Sequence, residues 1–254
     1  MVLAASVHCG EAESGVASDL ADAATPDSRS TRDASADAAP RGGHTPNDDL
    51  VRCGARPRAL AGIADVVVRL NELVPADGPC LVAALPRPLA LVATTGALSA
   101  QPAGGKGSPR LFFLLPKLVV SAVPSGRGST TVEFGEWVTN LRTLKGELPL
   151  PVNAAIAPDA PYAQVLDARR MGTTCGTCHR NEESHRSIAG AFVSDAFKPE
   201  ALTGVPLSEL EGYHEACTLE ADTSARCAML HAVFDFGEVV QGAFAPEVGT
   251  ASFN

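Results

Sequence analysis

Residues 110–138 read RLFFLLPKLVVSAVPSGRGSTTVEFGEWV. Three apolar runs lie in this stretch, Arg110 to Pro116, Lys117 to Pro124 and Thr130 to Val138, and turn residues bound them. Each is rich in Val, Leu or Phe and too short for a helix, so each predicts a strand. Two runs of the same kind precede them, CLVAAL at 80–85 and PLALVATT at 88–95. Five such runs so close together predict an antiparallel sheet or a small sandwich. The polar text Asn140 to Gly146 ends that sheet, with ELPLPV at 147–152 adding an edge segment.

Outward from the sheet the periodicity changes. Leu60, Ile63, Val67, Leu70 and Val74 fall at helical spacing and predict an amphipathic helix over roughly 60–73, with a strand over Val66 to Leu70 as the alternative. The loop SAQPAGGKGSPR at 99–110 invites a phosphate-loop reading. However, Gly105-Lys106 is followed by Gly107, Pro109 and a strand, not by Ser or Thr opening a helix, so it reads as a hairpin loop. Beyond Pro158, Leu207, Leu210, His214 and Cys217 share one helical face, and Cys227, Leu230 and Phe234 share another. Asp222, Thr223 or Ser224 can cap the second helix. The last hundred residues therefore read as a small helical, loop-rich module.

Composition sets the outer limits. The net charge is −9, and residues 1–50 carry nine acids against three arginines. With no aromatic residue and many Ala, Ser, Asp and Pro, Glu11 to Leu50 reads as a disordered acidic tether, and His44 within it as a solvated histidine. No basic run suits a polyanion, which argues against nucleic acid as a partner, and no apolar segment approaches the ~20 residues of a transmembrane helix. Seven cysteines divide by spacing into Cys53 with Cys80, Cys217 with Cys227, and Cys175 with Cys178, leaving Cys9 alone. Such pairing predicts two disulfides and an oxidising compartment. Cys9 follows a short apolar stretch and is a candidate lipidation site, although Val7-His8 before it departs from the small residues of lipoprotein signals, and a plain tail cysteine is the competing reading.

The chemistry is concentrated at Thr173 to His185, TTCGTCHRNEESH. Cys175-Gly-Thr-Cys178-His179 resembles the haem-attachment motif of the c-type cytochromes. In that family two thiols add across the haem vinyl groups, and the histidine directly after the second cysteine ligates the iron. The resemblance covers five residues. It implies one haem c, held by Cys175 and Cys178 with His179 as proximal ligand, and a second axial ligand further along. Met229 is the candidate for that ligand, with His214 and His231 as alternatives; His185 lies too near. A core methionine is the competing reading of Met229.

Two other chemistries suit the same cysteines. Zinc would take Cys175 and Cys178 with His185 and one of His214, Cys217 or Cys227. A redox dithiol would need an apolar helix after the motif, whereas polar HRNEESHRS follows. Glu182 and Glu183 read as solvated acids, and no hydrolase or transferase pattern stands out. The expectation is an α+β chain: a tether over 1–50, an antiparallel β-rich domain over 51–155 and a helical monohaem module over 156–254. Its work would be electron transfer with an unnamed redox partner in the bacterial envelope. The alternative is a non-redox binding or structural module in which the cysteine pair is a disulfide or zinc clip.

Overall fold

The structure, a computed structural model, describes residues 48–55, 58–97, 99–218 and 222–250. Three helices come first, α1 (Asp48–Gly54), α2 (Ile63–Glu72) and α3 (Gly78–Ala83). Five strands follow, β1 (Leu89–Thr94), β2 (Arg110–Leu114), β3 (Leu118–Ala122), β4 (Thr131–Thr139) and β5 (Arg142–Pro149). Next are α4 (Ala160–Val165) and a small hairpin of β6 (Leu166–Asp167) and β7 (Gly172–Thr173). The remainder comprises β8 (Glu183–Ser184), β9 (Phe192–Asp195), β10 (Phe197–Lys198), β11 (Gly204–Val205), α5 (Leu207–Glu215), α6 (Ala225–Phe234), β12 (Val239–Gln241) and β13 (Gly249–Thr250). This is the expected α+β class with one large, mainly antiparallel sheet.

The sheet runs β11-β1-β2-β3-β4-β5-β9-β8, and β12 joins the edge of β1 in parallel. Strands alternate their side chains between faces, and here the two faces differ sharply. Leu111, Phe113, Leu118, Val120, Val132, Phe134, Leu144 and Leu148 are buried in the apolar core on the helical side. Arg110, Phe112, Ser121, Glu133, Lys145 and Glu147 alternate with them and line a hollow on the other side. On the helical side α4 packs on β5, α3 packs on α6 and on α1, and α5 packs on α6. A carboxylate from the sheet organises α2. Its N-cap, Gly62, has no side chain to offer, and Glu136 of β4 accepts the Ile63 N–H at 2.8 Å. A Cβ on Gly62 would meet that carboxylate at 2.6 Å, so glycine is needed for the approach.

Two disulfides, Cys53–Cys80 and Cys217–Cys227, join α1 to α3 and the end of α5 to α6, with Cα–Cα distances of 5.3 and 5.5 Å. Both match the pairing inferred from spacing. No helix among the described residues is long and apolar enough to cross a membrane.

Several expectations need correction. CLVAAL is helical, not a strand: Asp77 caps it by accepting the Cys80 N–H at 2.8 Å, and Pro79 sits in its first turn. Asn140 to Gly146 does not end the sheet, because Arg142 to Pro149 pairs along the length of β4. The expected boundary at 155 falls within one continuous sheet, since β9 pairs with β5 and both β11 and β12 flank β1. The last hundred residues are therefore not a separate helical module. Asp48 to Leu50, assigned to the tether, open α1. The rest of the tether, with Cys9 and His44, lies outside the described residues.

The face assignment is testable with neighbouring phenylalanines. Phe113→Ala, on the fully buried face, should cost about 3–5 kcal/mol in urea unfolding. Phe112→Ala, on the hollow's face, should cost about 1–2 kcal/mol, near the scale of an aromatic pair contact. Equal losses would contradict the two-faced sheet.

Candidate functional site

The C-x-x-C-H segment covers the polar face of the sheet. The chain leaves α4, turns through the β6–β7 hairpin and enters a short 3-10 turn at Cys175–Thr177. Thr174 N–H donates to the Val165 carbonyl at 2.8 Å, tying the turn to the end of α4. Cys178 and His179 N–H both donate to the Cys175 carbonyl, at 3.0 and 2.8 Å. The motif is thus a single helical turn set against a sheet, and not the opening of a helix.

A second clamp comes from Glu182. Its carboxylate accepts the Thr173 N–H at 2.8 Å and also the Thr173 hydroxyl. A Cβ on Gly176 would sit 2.6 Å from Glu182 Oε1, so the first of the two residues between the cysteines must be small for the carboxylate to lie there. The sequence reading of Glu182 as a solvated acid overlooked this. Glu183 does lie at the surface, paired with Arg142.

Cys175, Cys178 and His179 line a cleft of about 330 Å³, within the ~300–1,000 Å³ of small-molecule and cofactor sites. A smaller hollow of about 80 Å³ adjoins it and shares Arg110, Phe112, Glu133, Glu147, Cys175, His179 and Phe197. Aromatic rings form much of the apolar wall. Phe112 meets Phe244 edge-on at 5.7 Å, and Phe197 stacks on the His179 ring at 5.2 Å.

His179 is held in one orientation. Its Nδ1 lies 2.8 Å from the main-chain oxygen of Asp195 and 3.3 Å from Lys145 Nζ. A carbonyl oxygen can only accept, so Nδ1 carries the proton and Nε2 keeps its lone pair. Lys145 donates to the same oxygen at 3.1 Å and to Thr143 Oγ1 at 2.7 Å. Burial, followed by the Lys145 charge, pushes the His179 pKa down to about 3, so the ring is a neutral base at ordinary pH. Burial likewise lowers Lys145 to about 8. A ligating histidine that donates its other nitrogen to a carbonyl is the usual outer arrangement at metal centres.

The carboxylates behave differently. Glu133 and Glu147 are direct cross-strand partners, and Arg110 pairs with Glu133 at 2.6 Å. Burial, reinforced by the Glu133 charge, raises Glu147 to about 7. Cys175 is pushed up to about 11, first by burial and then by Glu133. Reactive dithiols need a lowered thiol pKa, so this environment argues against an oxidoreductase dithiol. Cys175 and Cys178 are not joined to each other.

The other predicted residues lie elsewhere. Met229 is buried on α6, against Gly78 of α3. His214 and His231 both meet Asp235, each at 2.8 Å. His185 Nδ1 accepts the N–H groups of Ser187 and Ile188 at 3.3 and 3.1 Å. Among the described residues, His179 is the only His or Met lining the cleft. The zinc set is not assembled either, since Cys217 and Cys227 are bonded to each other and neither His185 nor His214 joins the motif cysteines in a ligand group. Sequence reading missed Lys145, Asp195, Phe197 and Glu147, which reach the motif from β5, β9 and β10.

No family model, curated protein or solved structure matches the chain.

Two substitutions probe this geometry. Glu147 is raised from its ordinary 4.5 to about 7, so ionising it penalises the folded state as pH rises through that window. Glu147→Gln should therefore stabilise the protein at pH 8, by on the order of 2 kcal/mol after discounting for partial exposure, and change little at pH 4. Thermal unfolding at the two pH values reads this directly. Glu182→Ala should cost about 1.5–3 kcal/mol, the value of hydrogen bonds to a charged group. It should also speed amide exchange at Thr173, measured by NMR.

Proposed function

We propose that the chain is a monohaem c-type protein of the bacterial envelope that passes single electrons, with haem held through Cys175 and Cys178 and with His179 as the iron's proximal ligand. The observation that carries this reading is the His179 imidazole. It directly follows the second cysteine, lines the cleft, and donates Nδ1–H to the Asp195 carbonyl at 2.8 Å, so its Nε2 lone pair is available. The donor set also fits: two thiols and one neutral imidazole on a single turn, beside a cleft walled by Phe112, Phe197 and the nearby Phe244. A haem held there would supply one-electron chemistry. The protein's part would be to hold Cys175, Cys178 and His179 on one turn, keep His179 in one tautomer through Asp195, and limit water access with the aromatic wall. The two disulfides support export to an oxidising compartment.

A second reading has its own support. Met229, His214 and His231 do not line the cleft, so among the described residues His179 is the one His or Met that could hold a haem iron there, and such an iron would be open to a small exogenous ligand. The non-redox alternative, in which the cysteine pair is only a clip and the sheet domain binds an envelope component, predicts a colourless protein.

A pyridine haemochrome spectrum separates these readings. Protein made with cytochrome c maturation machinery should give a haem c α-band that survives denaturation and disappears in Cys175→Ala/Cys178→Ala. A folded, colourless product would overturn the haem assignment. With haem present, a Soret shift of the reduced protein under carbon monoxide identifies an open sixth position, whereas an unchanged spectrum supports a six-coordinate carrier.

A further inference from the structure

Away from the cleft, α5 and α6 bring together three side chains that the haem reading does not use. Asp235, at the C-terminal cap of α6, places Oδ1 at 2.8 Å from His214 Nε2 and Oδ2 at 2.8 Å from His231 Nδ1. One donor atom from each residue lies within 4.8 Å of the other two. The site is inside the protein: the His231 side chain is fully buried, and those of His214 and Asp235 are only 12% and 11% exposed.

Tetrahedral ligands about 2.1 Å from a zinc ion stand roughly 3.4 Å from one another. The two 2.8 Å contacts, one to each oxygen of Asp235, are hydrogen bonds that would open by roughly 0.6 Å around an ion. Two imidazoles and a carboxylate make a nitrogen and oxygen set that favours first-row divalent ions, zinc foremost. The site is also preorganised. The Cys217–Cys227 disulfide fastens the end of α5 to α6, and Phe234 lies against the His214 ring at 5.2 Å. Since the two helices are already stapled covalently there, the paired histidines are not needed merely to hold them together.

The geometry points to a divalent transition-metal site formed by His214, His231 and Asp235. On binding, the metal takes the lone pair of the ring nitrogen facing Asp235, and each neutral imidazole moves its one proton to its other ring nitrogen. Three protein ligands are the usual complement of a zinc ion that takes water as its fourth ligand.

The test uses the full chain and cobalt(II) chloride as a spectroscopic stand-in for zinc. One equivalent should bind with visible d–d absorption and no intense near-ultraviolet thiolate band, and zinc chloride should displace it. Binding should persist in Cys175→Ser/Cys178→Ser. It should weaken by about 100-fold or more in His214→Gln, because losing a ligand should exceed the 10–100-fold effect of outer-shell partners. Asp235→Asn, with folding checked by circular dichroism, provides the second variant and should also weaken binding. The inference is overturned if the folded chain retains no cobalt or zinc. It is equally overturned if the bound metal shows the thiolate band and is lost with the motif cysteines.

Discussion

The period of two along β4 and β5 governs both what the protein buries and what it presents. In their register Val132 faces Leu148 and Phe134 faces Gly146, while Glu133 faces Glu147 and Gly135 faces Lys145. The first set seals the helical layer, and the second furnishes the hollow beneath the motif. A slip of one residue would send Phe134 and Leu144 to the hollow and drive Lys145 and Glu147 into the apolar core. That would bury charge without partners, which is far more costly than any single hydrogen bond gained. The apolar set therefore fixes the position of the polar set, and the motif's surroundings follow from core packing on the opposite face.

Much of this was legible from the chain. Four of the five apolar runs became strands because Val, Leu and Phe alternate or cluster between Pro and Gly, a signal local enough to survive tertiary packing. CLVAAL failed because a six-residue apolar run has no period that separates a buried strand from a buried helix. There the Asp77 cap and Pro79 decided the outcome. β5 was obscured for the opposite reason: Lys145 and Glu147 gave it a polar look, though both face a protein-lined hollow.

The motif itself was legible because its spacing is short. Its supports were not. Lys145 and Asp195 lie 34 residues before and 16 after His179, and the group Asp195 contributes is a main-chain oxygen that no side-chain pattern announces. Glu182 looked like one acid among several until Gly172 and Gly176 were seen to leave room for it. Met229 satisfied the spacing expected of an axial ligand, but its face of α6 turns toward α3.

That main-chain oxygen also bears on how the site can vary. Because the partner of His179 is a peptide carbonyl, no point substitution at Asp195 deletes it; only a shift of β9 would. The imidazole's orientation is thus protected against mutation by being part of the backbone. What remains adjustable is the ammonium of Lys145, which draws on the same oxygen. Drift at position 145 would change how strongly that oxygen pulls on the imidazole proton, and so how electron-rich the ring is, while leaving its placement intact. Geometry and electronic tuning are assigned to different parts of the chain, one hard to alter and the other open to graded change.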